Sequence, residues 1–314
     1  MNKIVSFDNY NSGERSPTVK FGNMKKRSRL LLMLLALMSM MLLSACGGGE
    51  EEVPDQETGS ITIKGSDTMV HLVSSWAEQF MNVNQGIEVS VTGGGSGTGI
   101  AALINGTTDI CAASREIKPK ELELAGEQGI EPVEYVVALD GIAVCVNPEN
   151  PVSELSLEQL KKIYTGAYTN WSQVDGPDQP ILVLSRESSS GTYVFFQEHV
   201  LGKEDYAGQA RLMPATSSII QSTSTDKWAI GYVGLGYAEE AAEKIKIIGV
   251  RETADAEAVY PSVETVLDGT YSIARPLHLY TDGEAAGVIA DFINYCMSVE
   301  GQQIVEETGY VPVN

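Results

Sequence analysis

The sequence predicts an α/β fold with mostly parallel strands. From Ile61 onward, short apolar runs alternate with stretches whose apolar residues recur at helical spacing. Three of the joins from strand to helix are turns rich in Gly, Ser and Thr. That rhythm belongs to α/β proteins, in which helices carry the chain between parallel neighbours.

In order, residues 61–64, 87–92, 109–113 and 181–184 read as strands, and residues 69–80, 118–127, 157–164 and 192–200 as helices. Near the end, Ala285, Val288, Ile289, Phe292, Ile293, Cys296 and Met297 fall on one helical face. Two apolar runs, 135–146 and 276–280, break the rhythm and could each carry the chain between two lobes. The 314 residues suffice for one large domain or two ordinary ones, and 43% hydrophobic content allows a sizeable core.

The charge is unusual. Formal net charge is -21, with 21 basic and 42 acidic residues. Seven basic residues but only Asp8 and Glu14 among the acids precede Cys46, so the remainder is more acidic still. Nucleic-acid binding needs a basic stripe to displace counterions, and this composition argues against it. An acidic surface also repels anions at long range, so any anion must be held by local groups.

The N-terminal region carries an address. Residues 25–29 read Lys-Lys-Arg-Ser-Arg, an apolar run of about 14 residues follows, and Leu43-Ser44-Ala45-Cys46-Gly47 closes it. The run is too short for a comfortable membrane-spanning helix. The closing segment resembles the lipobox of bacterial lipoproteins, which implies export, cleavage and acylation (palmitate) of Cys46. Residues 1–45 are then an extension and signal peptide, and residues 46–58 a lipidated, flexible acidic tether. Cys111, Cys145 and Cys296 lie far apart in apolar stretches and read as buried small hydrophobes. His71, His199 and His278 are scattered, with no metal-ligand spacing, and no cofactor is implied.

The three turns repeat one design. They are Lys64-Gly65-Ser66-Asp67-Thr68-Met69, then Gly93 to Gly99 around Ser96, then Ser185-Arg186 through Ser190-Gly191-Thr192. A helix start leaves backbone N–H groups unpaired and carries partial positive charge. Glycine lets the backbone approach closely, and Ser and Thr add short neutral donors. Such a site holds a phosphate-like group without a net positive protein, and Arg186 adds a forked charged donor. The carboxyl ends of strands, where these turns fall, are where open α/β sheets bind ligands. Each turn alone would equally be a capped helix start. Other motifs fail. No Gly-Lys-Ser/Thr triplet completes a P-loop, and no Gly-x-Ser-x-Gly elbow exists. Gly97-x-Gly99-x-x-Ala102 matches a loose dinucleotide fingerprint, but Gly106 cuts its helix short.

Gly65-Ser66-Asp67-Thr68, Gly95 to Ile100, Ala113-Ser114-Arg115-Glu116, and Arg186 with Ser190-Gly191-Thr192 occur in that order over roughly residues 59–314. As a set they resemble the phosphate-binding lipoproteins of bacterial ABC phosphate importers. The resemblance implies a two-lobe periplasmic-binding-protein fold of the type II kind, with a ligand cleft between the lobes. Residues 59–145 and a return over 263–314 would form the first lobe, and 146–262 the second. Family ligands fall on Thr68, the backbone of Met69, Ser96, Arg186, Ser190, Gly191 and Thr192, with Ser66 in the same turn. The family's usual Asp after the third strand is replaced here by Ser114-Arg115. Asp67 is the nearest substitute for accepting the phosphate proton, with Arg115 orienting it or balancing its charge.

The expected function is non-catalytic capture of inorganic phosphate outside the cell, from a lipid anchor in the membrane. Delivery would be to the membrane subunits of an ABC permease and their ATPase. Alternatives are a receptor for sulfate or molybdate, an exported phosphatase-like enzyme, and an adhesin or signalling lipoprotein.

Overall fold

A computed structural model describes residues 58–313 of the chain. Cys46, the export signal and most of the tether lie outside the described residues.

The chain opens with β1 (Gly59–Gly65), a 3-10 turn (Asp67–Met69) and α1 (Val70–Val83). It continues through β2 (Ile87–Thr92), α2 (Ser96–Ile104), β3 (Ile110–Ala113), α3 (Pro119–Glu127) and the long β4 (Pro132–Val146). The middle comprises β5 (Glu154–Ser156), α4 (Leu157–Tyr164), β6 (Leu182–Arg186), α5 (Gly191–His199), β7 (Arg211–Met213), α6 (Thr216–Thr225) and β8 (Ala229–Gly234). Then come α7 (Leu235–Glu240), β9 (Lys246–Ile247), β10 (Gly249–Arg251), α8 (Val263–Leu267), β11 (Ala274–Asp282), α9 (Gly287–Met297) and α10 (Val299–Glu307). The predicted strands and helices lie within a few residues of observed ones.

The main sheet runs β2-β1-β3-β11-β4-β8-β6-β7, with β9 also on β4, and β5 pairs β10 separately. Pairing is parallel where helices cross over, between β1 and β2, β1 and β3, β6 and β7, and β6 and β8. The expectation of mostly parallel strands needs one correction. β11 is antiparallel to β3 and β4, and β4 is antiparallel to β8 and β9. These are the two runs that broke the rhythm. Residues 132–141 of β4 pair with β11, and residues 142–146 pair with β8. One strand is thus shared between two α/β lobes. Residues 137–146 of β4 are buried almost throughout, which is why the run is apolar without alternation.

Each lobe has its own core. α1 buries Leu72, Val73, Trp76, Ala77 and Phe80 on one face, at spacings of three and four. That face meets α9 and α10: Phe80 packs edge-on against Phe292, and Trp76 Nε1 donates to Gly301 O at 2.7 Å. The C-terminal helices therefore pack on the element that opens the fold. The second core centres on Tyr164, Trp171, Phe196 and Tyr232, with the Phe196 and Tyr232 rings stacked 4.2 Å apart. Cys111, Cys145 and Cys296 are free and buried, and burial pushes the first two thiols up to about 12. They serve as small apolar groups, as their surroundings in the sequence predict.

Candidate anion-binding site

The three turns converge where the lobes meet. The first follows β1: Ser66 and Thr68 are buried, and Ser66 Oγ donates to Ser114 Oγ at 2.9 Å. Met69 is fully buried, and its N–H donates to Ser66 O at 3.1 Å. In the second turn, Gly95 has φ 101°, a region open to glycine. A Cβ there would also stand 2.5 Å from Ser189 O of the third turn. α2 starts at Ser96, whose Oγ accepts from Ser114 N–H at 3.0 Å.

In the third turn, Ser190 caps α5 by accepting from Tyr193 N–H. Gly191 is needed for space: a Cβ would lie 2.3 Å from Ser96 Oγ and 2.6 Å from Ser114 Oγ. Next to it, Thr192 Oγ1 lies 2.7 Å from Thr68 Oγ1, joining hydroxyls of the two lobes. The backbone joins them too, through Gly97 N–H donating to Ser189 O at 2.9 Å. Ser66, Thr68, Ser96, Ser114 and Thr192 thus form one buried group of hydroxyls beside two helix starts. Hydroxyls bonded to one another can rotate to donate to oxyanion oxygens instead, and the helix starts favour negative charge.

The charged residues are arranged less simply. Arg186 is buried, and its fork donates to Met213 O, Thr216 Oγ1 and Pro214 O at 2.8–3.2 Å. Its Nη1 is also 3.4 Å from Asp67 Oδ2. Asp67 Oδ2 accepts from Thr216 N–H, the start of α6, at 2.7 Å, and Tyr237 Oη donates to Asp67 O. Asp67 therefore ties the first turn to the second lobe. The partnership expected between Arg115 and Asp67 is not formed. Arg115 grips Glu121 with both ends of its fork, at 2.8 and 2.7 Å. Burial works to raise the Glu121 carboxyl, but Arg115 and the Lys118 N–H outweigh it and hold it below its usual range. Glu121, in the first turn of α3 and six residues from Arg115, takes the arginine, and Arg186 is the cation beside Asp67.

Two residues were missed. Asp140 on β4 and Arg275 on β11 face each other in register, both buried, with Nη2 to Oδ2 at 2.9 Å. Arg275 also donates to Thr192 Oγ1 and Ser114 O. Burial pushes the Asp140 carboxyl up and the Arg275 guanidinium down, and each group's charge opposes the shift in the other. The available signal was a single Asp inside the apolar run 135–146, since an acid in a buried strand needs a partner.

A model of the PBP superfamily domain matches residues 51–300. The chain belongs to the PBP superfamily. Among curated proteins, it is 35% identical to the protein SphX of Synechococcus elongatus over 262 residues, covering 81% of this chain and 77% of SphX. It is also 35% identical to the phosphate-binding protein PstS of Staphylococcus haemolyticus, covering 79% of each chain. A Clostridium perfringens structure, described as a putative phosphate ABC transporter substrate-binding protein with bound phosphate, superposes with a TM-score of 0.73 at 32% identity. It covers 81% of this chain and all of that one. In this chain the three turns meet between the two lobes.

Proposed function

We propose that this protein captures inorganic phosphate outside the cell and delivers it to an ABC permease. The observation that carries the reading is the buried group of five hydroxyls where the lobes meet, with two helix starts alongside and Arg186 beside Asp67 of the first turn. Its donors suit a tetrahedral oxyanion, and they need no net positive charge on an acidic protein. The relatives named PstS, and the neighbour with bound phosphate, favour phosphate among such ions.

Within this reading, Ser66, Thr68, Ser96, Ser114, Arg186, Ser190, Gly191 and Thr192 form the ligand shell, while the Met69 N–H, expected there too, donates to Ser66 O instead. Asp67 supplies the carboxylate that accepts the proton of phosphate, with Oδ2 on Thr216 N–H and Oδ1 remaining. The lobes open and close about β4 and β11; because residues 142–146 pair with β8, and Val266, Tyr271 and Ile273 pack in the second core, the crossings fall near Gly141 and Ala274 rather than at 145 and 263.

A thermal-shift screen of the purified protein against phosphate, arsenate, sulfate and molybdate tests the reading. A ligand that binds only the folded state raises the melting temperature. Phosphate is expected to give the largest shift at equal concentration. A larger shift with sulfate or molybdate, or none with phosphate, would refute it. Turnover of a chromogenic phosphate ester would instead identify an enzyme.

The lipid on Cys46 belongs to the same reading, because a captured ion must be released close to its permease. Cys46→Ala is expected to move the protein from the membrane fraction to the medium or leave it uncleaved. An unchanged lipidated product on a blot of the membrane fraction excludes Cys46 as the anchor.

A further inference from the structure

Arg275 has an unusual set of partners. It sits on β11, one of the two strands between the lobes, and only 3% of its surface is exposed. Its Nη1 donates to Ser114 O at 2.8 Å, in the first lobe. Its Nη2 donates to Thr192 Oγ1 at 2.9 Å, in the second. Nε and Nη2 both reach Asp140 Oδ2 on β4, at 3.2 and 2.9 Å. The guanidinium also lies over the Phe195 ring, 5.3 Å from its centroid. One side chain thus touches a candidate site residue of each lobe, Ser114 and Thr192, and both strands between them.

Fold stability is a weak reason for such a pair. Taking two charges out of water costs about as much as their attraction returns, and apolar replacements of similar volume are often as stable. Its placement suggests a use. Asp140 Oδ1 turns to Leu235 N–H, and Oδ2 turns to the arginine. The pair is therefore an oriented dipole whose positive end meets the hydroxyl group. Because Thr192 Oγ1 accepts from Arg275, its own proton must point elsewhere, toward Thr68 Oγ1 or whatever takes its place. Arg186 is less available, since its fork is held by Met213 O, Thr216 Oγ1 and Pro214 O and lies beside Asp67.

Resting on the oxyanion reading above, we propose that Arg275, held by Asp140, is a further anion-site residue. It fixes Thr192 as an obligate donor and supplies positive charge at the floor of the cleft. It also makes the closed arrangement of the two lobes the one in which that charge is fully partnered.

The test is calorimetric titration of phosphate into the full-length protein and two variants. Arg275→Gln combined with Asp140→Asn removes both charges together, so no buried charge is left alone. Arg275→Lys keeps the charge but cannot hold Thr192, Ser114 and Asp140 at once. The expected order is wild type, then Lys about tenfold weaker, then the double variant weaker again. Melting temperatures without anion, measured in parallel, are expected not to follow that order, whereas a purely structural role would make affinity follow stability. Affinity within threefold of wild type in either folded variant overturns the proposal. If wild type takes no phosphate, the phosphate reading fails, and the same titrations are run with arsenate, sulfate and molybdate. If none of these binds wild type, the proposal falls too.

Discussion

Arg186 and Asp67, both singled out in the sequence, lie beside one another, and each has partners that the sequence did not show. Arg186 stands four residues before Ser190, at the end of β6, as a charged ligand should. Yet its fork is anchored to carbonyls and a hydroxyl of its own lobe. Such anchoring aims a guanidinium and limits the rotamer entropy lost on binding. Arg186→Ala is expected to weaken phosphate binding by roughly 2–5 kcal/mol, the usual cost of removing one partner of a buried charged contact. Calorimetry showing affinity within about threefold of wild type would contradict this. In the proposed function, Asp67 is the group that bears on selectivity. At neutral pH phosphate carries a proton and sulfate does not, so a carboxylate accepts from one and faces the other with an unmatched lone pair. Asp67→Asn keeps an oxygen for Thr216 N–H while losing the charge. The phosphate-to-sulfate affinity ratio is expected to fall about tenfold, or 1.4 kcal/mol. An unchanged ratio in the folded variant would leave Asp67 only its role across the cleft.

At the scale of elements, the site depends on strands and helices that contribute no ligand. α1 begins immediately after the first turn, so its packing sets the position of Thr68. Its grip is the Leu72–Trp76–Phe80 face and the bond from Trp76 to Gly301, which belongs to the last helix. Tyr310, just beyond that helix, donates its hydroxyl to Thr68 O. The C-terminal segment thus braces the first turn from behind. Trp76→Ala is expected to cost about 3–5 kcal/mol of folding stability, as for other large aromatic truncations in cores. Urea unfolding should show a lower midpoint with little change in slope. A midpoint within error of wild type would mean that α1 is held some other way.

Across the whole molecule, the described contacts are those of a closed pair of lobes. Thr68 meets Thr192, Gly97 meets Ser189, and Asp67 meets Thr216. Each is a polar contact that water could replace if the lobes parted, so opening costs little per bond. A ligand held by both lobes shifts that balance toward closure by its difference in affinity for the two states. Small-angle scattering is expected to show a smaller radius of gyration with saturating phosphate than without. Superimposable curves would mean that the protein is already closed in solution, and binding would then need a different entry route.

Much of this was legible in the sequence because it is local. Alternating apolar runs and helical spacing depend on neighbours a few residues away, and so do Gly, Ser and Thr at a helix start. Those signals located β1 to β3, the helices between them and the three turns. They also marked 135–146 and 276–280 as exceptions, although not as antiparallel. Strand direction and register depend on a partner far along the chain, here β11 against β4, and local pattern does not carry it. The same limit hid the Asp140–Arg275 pair, whose members are 135 residues apart and meet only through that register. It also misdirected Arg115, since the sequence could not show whether Asp67 or Glu121 lay within its reach. The sequence by itself determined which residues could hold an anion, because donor chemistry is a property of residue type. Only the tertiary structure decided which charges face one another in the cleft, because buried charges are placed by the packing of distant strands.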